Sequence, residues 1–486
     1  MTSNKDKEKE VLFITNFIES QKMSELLQKA KDFEMKTVKP TKDMVSKAYN
    51  ILYEFLRSKQ RVIYGGTAIS ILLQQKNYDE IYLDSEFPDI DFLTPEPYQD
   101  ALDISNRLYA AGIQYINVTE AVKENTFKVF IEHSRDELAD VSYVPSSIYK
   151  YIFKHASSNC TLKGTPMKGL KIINPNFQII DILNVFISPA LSWLKIQKNL
   201  KREVLLSNYY MIPITDVSDQ SKLSYTFRKS ASKNVQNMHR FIRENVIDSI
   251  GCGNNAYNYY NKQVNGWKRR TIHNMPLEYY TVNAHDISKK LFTRLKKIFP
   301  NQDLKYVEYY PYLGQLKSRY IIFSGKKWIA VFCDYKDQCT SVKQVNNEKI
   351  LTYWGTLRHC YIMYHRCRID GFSNRAMVYQ YMYKQLRYVY RTWCVNKTVE
   401  ERTKDTSPFQ LLEPHCFPTK NLENMTRKSR IKKAKERNKN TPGMGKFTYR
   451  PNEKVFKKIE YNKKTKKYKL GPHIIEPFPN LTGRPK

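Results

Sequence analysis

No two cysteines of this chain stand in a CxxC spacing, no apolar run approaches membrane-span length, and acidic residues are scarce. The eight cysteines lie scattered at Cys160, Cys252, Cys333, Cys339, Cys360, Cys367, Cys394 and Cys416. Scattered thiols of this kind fit neither a disulfide framework nor a paired-cysteine zinc module and read as reduced, cytosolic usage. The tightest cluster, His359, Cys360, His365 and Cys367 in RHCYIMYHRC, lacks finger spacing and reads as buried helix with Cys as core filler. A span needs about 18 consecutive apolar residues, and none is present, so no ordinary membrane helix is expected. The opening MTSNKDKEKE has no apolar core of the kind a secretory leader requires.

Against 47 acidic residues stand 81 basic ones, a formal net charge of +34 in 486 residues. Such an excess raises affinity for polyanions through Coulomb attraction and counterion release, with nucleic acid the first partner to consider. Lys, Asn, Ile and Tyr all use A/T-rich codons, so part of the excess can be compositional. An apolar fraction of 41% with 13% aromatics belongs to a folded chain, long enough for two to four domains.

Residues 1–60 read as an N-terminal helical region. In KDMVSKAYNILYEFLRSK, Met44, Ala48, Ile51, Leu52 and Phe55 recur at three- and four-residue spacing. A short strand RVIY then enters Gly65-Gly66, and TAISILLQQ is helical again. After the acidic, Pro-punctuated DSEFPDIDFLTPEPYQ comes a helix, ALDISNRLYAAG, and three strands: INVTE, TFKVFIEH and LADVSYV. These place a catalytic domain at 61–210 and an α/β domain at 211–418. From 419 to 486 a basic, poorly ordered tail is expected, with 21 Lys and Arg against 5 Asp and Glu from residue 420 onward.

The stretch 286–335 echoes 103–143: DISKKLFTRL against DISNRLYAAG, each followed by three strand-like runs. A glycine turn precedes each, Gly65-Gly66 in one case and Gly251 with Gly253 in the other. Duplication and chance similarity both remain open at this level. The second stretch lacks the paired aspartates of the first and has Val331 or Phe332 near the place of Asp140.

Three features carry chemistry. Gly65-Gly66-Thr67 closes a strand and opens a helix, where backbone amides can approach phosphate without a clashing Cβ. Asp89-Ile90-Asp91 places two carboxylates on one face of a strand with Ile90 turned to the core. Carboxylates so close repel one another unless a divalent cation joins them, and Mg²⁺ accepts both carboxylate and triphosphate oxygens. Asp140, in the alternating LADVSYV, can complete a three-carboxylate cluster from a neighbouring strand. Each feature alone has a bland reading as turn, solvated edge or turn-flanking acid.

Together they resemble the polymerase-beta-like nucleotidyltransferase superfamily. More narrowly, YGGTAISILL, FPDIDFLTP and ADVSYVP resemble the poly(A) polymerase catalytic subunits of large cytoplasmic DNA viruses. The resemblance covers residues 45–205. It implies an α+β fold: a nucleotidyltransferase core of small mixed sheet and helices, a helical N-terminal region and a degenerate nucleotidyltransferase-like C-terminal domain. It implies template-independent addition of AMP from ATP to an RNA 3′-hydroxyl, with two Mg²⁺ or Mn²⁺ ions. Asp89 and Asp91 would hold both ions, Asp140 only the one nearer the 3′-hydroxyl, and Gly65, Gly66 and Thr67 the triphosphate. The implied partners are ATP and the single-stranded 3′ end of mRNA, with an accessory subunit or homodimer left open. A viral origin would place the chain in host cytoplasm and in the virion.

In WLKIQKNLKREVLL, Trp193, Ile196, Leu200 and Val204 form an expected apolar stripe, and Lys195, Lys198 and Arg202 a basic face suited to triphosphate. YQYMYKQLRYVYRTWC interleaves Tyr with Lys and Arg, a pattern shared by stacking platforms and buried helices. Lys432, Lys433, Lys435 and Arg437 of the tail suit RNA backbone contact. Two rival functions remain: another RNA nucleotidyltransferase (uridylyl or oligoadenylate synthesis), or an inactive RNA-binding protein on this fold.

Overall fold

The structure, a computed structural model, describes residues 25–26, 28–29, 42–78, 81–82, 88–113, 116–121, 125–131, 137–158, 161–162, 165–166, 168–187, 189–210, 231–246, 248–263, 272, 275–309, 318–334, 340–398, 401, 407–409, 431–432, 435–436, 448–451, 460–462, 467–470 and 473–475. Most of the N-terminal stretch before Lys42 and most of the basic tail, including Lys433 and Arg437, lie outside the described residues.

Helix α1 (Lys42–Ser58) leads into β1 (Val62–Tyr64), α2 (Gly65–Gln74), β2 (Ile90–Thr94) and α3 (Pro97–Ala110). Strands β3 (Ile116–Glu120), β4 (Thr126–Ile131) and β5 (Glu137–Tyr143) precede α4 (Ser146–Lys154), the small hairpin β6 (Thr161–Leu162) and β7 (Thr165–Pro166), and β8 (Lys171–Ile172). Helices α5 (Pro175–Ile187), α6 (Pro189–Tyr209) and α7 (Lys233–Asn245) follow. Then come β9 (Ile250–Cys252), α8 (Asn254–Asn261), β10 (Leu277–Thr281), α9 (Ala284–Ile298), β11 (Leu304–Tyr309), β12 (Arg319–Ser324) and β13 (Lys327–Asp334). The hairpin β14 (Val342–Val345) and β15 (Glu348–Leu351) precedes α10 (Tyr353–Ile369) and α11 (Ser373–Val395). The last strands are β16 (Thr448–Tyr449), β17 (Glu460–Asn462), β18 (Lys467–Leu470) and β19 (His473–Ile475).

These elements form two compact units, each drawn from separated stretches: Met1–Arg61, Asp84–Tyr143 and Ile431–Lys486 in the first, Val62–Leu83 and Val144–Arg430 in the second. The division cuts through the span 61–210 read from sequence as one domain. The β1–α2 segment packs with α5 and α6, whereas β2 to β5 build a core with α1 and α3. In the first unit the strands run β16-β3-β4-β5-β2. Neighbours β3, β4 and β5 are antiparallel, and β5 pairs β2 in parallel. Helix α1 buries Val45, Ala48, Leu52, Phe55 and Leu56, and the Phe55 ring meets Phe92 of β2 with centroids 6.1 Å apart. Each of the larger of these side chains contributes on the order of 1.5–3 kcal/mol on burial. The tail departs here from the unstructured extension expected: β16 adds to β3, Tyr449 donates to Asn106 Oδ1 at 2.7 Å, and β17 to β19 form an antiparallel sheet.

In the second unit the main sheet runs β11-β12-β13-β10-β9-β15-β14. One face packs Met238 and Ile242 of α7 and Leu291 and Leu295 of α9 against Leu277, Tyr279, Ile322 and Phe332. The other receives α10 and α11, whose His359 and Tyr379 reach Glu278.

The echo between 103–143 and 286–335 is structural. Strands β3, β4, β5 and β2 pair antiparallel, antiparallel and parallel, and β11, β12, β13 and β10 repeat that succession. β1 pairs β8 in parallel, as β9 pairs β15. Both copies break register at one place, between Val129 and Phe130 in the first and between Ile322 and Phe323 in the second. Gly65 and Gly253, each following the strand that opens its copy, have φ of 74° and 53°. The two stretches thus share strand pairings, one register break and a positive-φ glycine at matching positions. In this alignment Asp91 falls on Glu278, Asp140 on Val331 and Asp89 on Pro276.

Candidate active site

Strand β2 buries Ile90, Phe92 and Leu93 and leaves Asp91 half-buried, with Asp89 half-buried just before it. That is the period-2 alternation expected for an i, i+2 carboxylate pair. On β5, Ala139 and Val141 are buried around a half-buried Asp140. The parallel register sets Asp91 directly beside Asp140.

A fourth acid joins them. Two residues of β5, Leu138 and Ala139, are buried in succession because the ladder to β4 slips there: Val129 pairs Ala139, yet Phe130 pairs Glu137. This bulge turns Glu137, three positions before Asp140, onto the same face as Asp140. Carboxylate oxygens of Asp89, Glu137 and Asp140 lie within 4.8 Å of one another. Asp91 is not one of that trio and takes the flanking place on β2.

Lys128 of β4, the register partner of Asp140, lies among them. Its Nζ is 2.5 Å from both Glu137 oxygens and 3.7 Å from Asp140 Oδ1. Burial opposes its charge, but the hydrogen bond to Glu137 and the attraction of Asp140, Glu137 and Asp89 outweigh burial and raise its pKa. Hard oxygen donors at this spacing fit a divalent ion of the Mg²⁺ class.

The strand carrying the aspartates is anchored at both ends. Tyr49 of α1 donates to the Pro88 carbonyl at 2.5 Å, fixing the residue before Asp89. Beyond β2, buried Arg61 grips Asp100 with Nε–Oδ2 at 2.7 Å and Nη2–Oδ1 at 2.9 Å, and Thr94 donates to Asp100 Oδ2 at 2.5 Å.

The glycine turn belongs to the second unit. Gly65 N donates to Gln178 Oε1 of α5 at 2.8 Å, and Gly66 and Thr67 are buried at the start of α2. A Cβ on Gly66 would lie 1.8 Å from the Tyr82 hydroxyl and 3.1 Å from Arg202 Nη2. Arg202 donates to that hydroxyl at 2.8 Å, so the guanidinium read from sequence as a phosphate clamp does stand at the glycine turn. Lys195 and Lys198 are exposed.

The expected apolar stripe of α6 is not the buried one. Val204 is 49% exposed and Ile196 and Leu200 are half-buried, while Asn199, Glu203, Leu206 and Ser207 are buried. Glu203 accepts from Arg387 of α11 and from Ser207, and these partners satisfy a polar inward face. Trp193's side chain lies outside the described residues. Of YQYMYKQLRYVYRTWC, Tyr379 and Tyr383 are core while Tyr388 is 49% exposed. Of the tail residues, Lys432 and Lys435 are exposed.

In the second copy the face equivalent to the aspartates holds Glu278, which accepts from His359 Nε2 at 2.8 Å and from Tyr379 at 2.9 Å. His359 thus lies in a buried helix, as RHCYIMYHRC implies, and its donor atom shares a 4.8 Å neighbourhood with Cys252 and Glu278.

Residues 50–192 match the poly(A) polymerase catalytic subunit family. That segment holds both the aspartates and the glycine turn. A protein of Acanthamoeba polyphaga mimivirus, named as a candidate poly(A) polymerase catalytic subunit, is 25% identical over 318 residues, 60% of this chain and 52% of the relative. A similarly named protein of African swine fever virus (isolate Pig/Kenya/KEN-50/1950) is 28% identical over 196 residues, 38% of each chain. The chain therefore spans about half or less of these relatives. Megavirus polyadenylate synthase, a solved structure, shares the fold with a TM-score of 0.66 at 21% identity, covering 93% of this chain and 86% of that one. That likeness shows that the two chains share an α+β fold. Among the described residues no helix is long and apolar enough to cross a membrane.

Proposed function

We propose that this chain is a poly(A) polymerase, adding AMP from ATP to RNA 3′-hydroxyls without a template. The observation that carries the reading is the parallel register of Asp91 with Asp140, with Asp89 and Glu137 turned to the same cluster. The family match over 50–192 supports it. In the reaction the RNA 3′-oxygen attacks the α-phosphorus of ATP, the α–β bridging bond breaks, pyrophosphate leaves and the hydroxyl proton passes to solvent. Bound divalent ions supply the Lewis acidity that lowers the hydroxyl's pKa and neutralises the triphosphate.

Asp89 and Asp91 would hold both ions in this reading, and Asp140 would hold one of them. Gly65, Gly66 and Thr67 receive the triphosphate, with Arg202, Lys198 and Lys195 as its cationic contacts. The net charge of +34 and the basic tail, with Lys432, Lys433, Lys435 and Arg437, favour RNA over a small acceptor. Host cytoplasm and the virion are the expected locations, by likeness to viral proteins.

The test is extension of a labelled oligo(A) primer with each NTP and Mg²⁺, comparing the intact chain with Asp89→Ala/Asp91→Ala. Long products from ATP with the intact chain alone are expected. Preference for another base points to uridylyl or other transfer. No incorporation with Mg²⁺ or Mn²⁺ leaves an RNA-binding role.

A further inference from the structure

We propose that Cys252, Glu278 and His359 form a structural zinc site inside the second unit, separate from the aspartates of the first. Backbone pairing brings two of the ligands together. Cys252 of β9 and Glu278 of β10 are register partners on adjacent antiparallel strands, so both side chains leave the same face of the sheet. Helix α10 covers that face and delivers His359, whose Nε2 is 2.8 Å from Glu278 Oε2. One donor atom from each of the three residues lies within 4.8 Å of the other two, and all three residues are buried. By the usual zinc bond lengths, donors on one tetrahedral ion stand roughly 3.3–3.8 Å apart, so small side-chain rotations close this set on Zn²⁺.

An orphaned oxygen is the independent observation. Glu278 is 1% exposed, and its Oε2 takes the hydrogen bonds of both His359 and Tyr379, the latter at 2.9 Å. Oε1 is buried too and has no hydrogen-bond partner among the described residues. A buried carboxylate oxygen is costly to leave so. Gly253, with φ of 53°, makes room for it, since a Cβ there would collide with Oε1. The neighbouring thiol is held protonated: burial first, then Glu278, Cys333 and Cys360, push the pKa of Cys252 well up. A bound dication relieves both penalties. The Cys252 proton leaves to solvent, and thiolate, carboxylate and neutral imidazole around Zn²⁺ then sum to zero charge, which suits a dry interior. The imidazole proton passes from Nε2 to Nδ1, where the Tyr280 hydroxyl at 3.3 Å accepts it. Thiolate and imidazole donors select Zn²⁺ over Mg²⁺, in contrast to the all-carboxylate set of the first unit.

The test uses the tag-free full chain produced with Co²⁺ as its added transition metal, read by absorption spectroscopy and metal content. One Co²⁺ per chain is expected, with a thiolate-to-cobalt charge-transfer band in the near ultraviolet that Asp89→Ala/Asp91→Ala retains. Cys252→Ala should abolish the band while near-ultraviolet circular dichroism stays that of the unmodified chain. Glu278→Gln, which can keep the Tyr379 contact, should weaken retention of Co²⁺ against a chelator by at least ~10-fold. A folded, unmodified chain without the band overturns the proposal whatever the variants do, and leaves His359, Glu278 and Tyr379 as a metal-free hydrogen-bonded cluster. A band that persists in Cys252→Ala overturns it too, because other cysteines would then hold the ion.

Discussion

Asp91 and Asp140, 49 positions apart in sequence, are register partners on adjacent parallel strands. Parallel pairing places both side chains on one face, and neither can move without disturbing a strand buried on its other side. Asp140→Ala should therefore abolish primer extension, by more than ~100-fold, since even outer-sphere losses at metal sites reach that range. The fold should persist, because Asp140 is half-buried and its flanking Ala139 and Val141 keep their packing. Circular dichroism and a thermal melt matching the unmodified chain, with extension lost, are the expected pair of results. Extension within a few-fold of normal would remove Asp140 from the reaction.

Gly66 should tolerate no side chain while Tyr82 stays in place. Its Cβ would lie 1.8 Å from the Tyr82 hydroxyl, so Gly66→Ala must displace that ring or the Arg202 beside it. A cost of about 1–3 kcal/mol is expected, typical of overpacking. Tyr82→Phe removes the clashing oxygen, so the double variant should recover part of the loss. Urea denaturation of the four proteins measures the coupling, and strict additivity would show that Tyr82 is not the obstacle.

The aspartates could be read from sequence because their signal is local. A DxD pair in a strand, and an Asp alternating with apolar neighbours, need only the period of two. Glu137 could not be found this way, since strict alternation assigns it to the face opposite Asp140 and only the bulge reverses that. Lys128 depends on the same bulge for its partner. The α6 helix misled for another reason: Glu203 is buried because Arg387, 184 positions later, meets it there. Tyr82 gave no signal at all, as nothing in its neighbours ties it to Gly66. The likeness of 103–143 and 286–335 was visible as two similar runs, but the matching pairings, the shared register break and the two positive-φ glycines appear only in the fold.

Arg61 and Asp100 test how the aspartate strand is held. Both are buried, and Thr94 at the end of β2 donates to the same carboxylate. Asp100→Ala leaves the buried guanidinium with the exposed Glu96 carboxylate, 3.4 Å from Nη2, as its remaining ion-pair partner and should cost up to about 3–5 kcal/mol. Replacing both partners with apolar residues, Arg61→Leu/Asp100→Leu, should cost much less than that single change. Equal losses in the two variants would mean that hydrogen bonding to Thr94, not charge burial, dominates.

His239 gives the second unit an acid-sensitive stability. It lies buried on α7 with Nε2 3.1 Å from the Ile329 carbonyl oxygen, and burial and Arg243 push its pKa down from 6.5 to about 4 against the opposing hydrogen bond. The folded ring is thus neutral at pH values where the unfolded ring takes a proton. The unfolded state binds more protons between those two values, so stability falls as pH drops from about 6.5 toward 4 and levels off below. His365, pushed to about 3 by burial and Arg368, adds a loss of the same sign. The shifted titration of His239 alone should remove ~3 kcal/mol over that window. His239→Gln can keep a donor toward Ile329 without titrating, and it should flatten the slope measured by urea denaturation at pH 7, 6, 5 and 4. An unchanged slope would place the acid sensitivity in other groups.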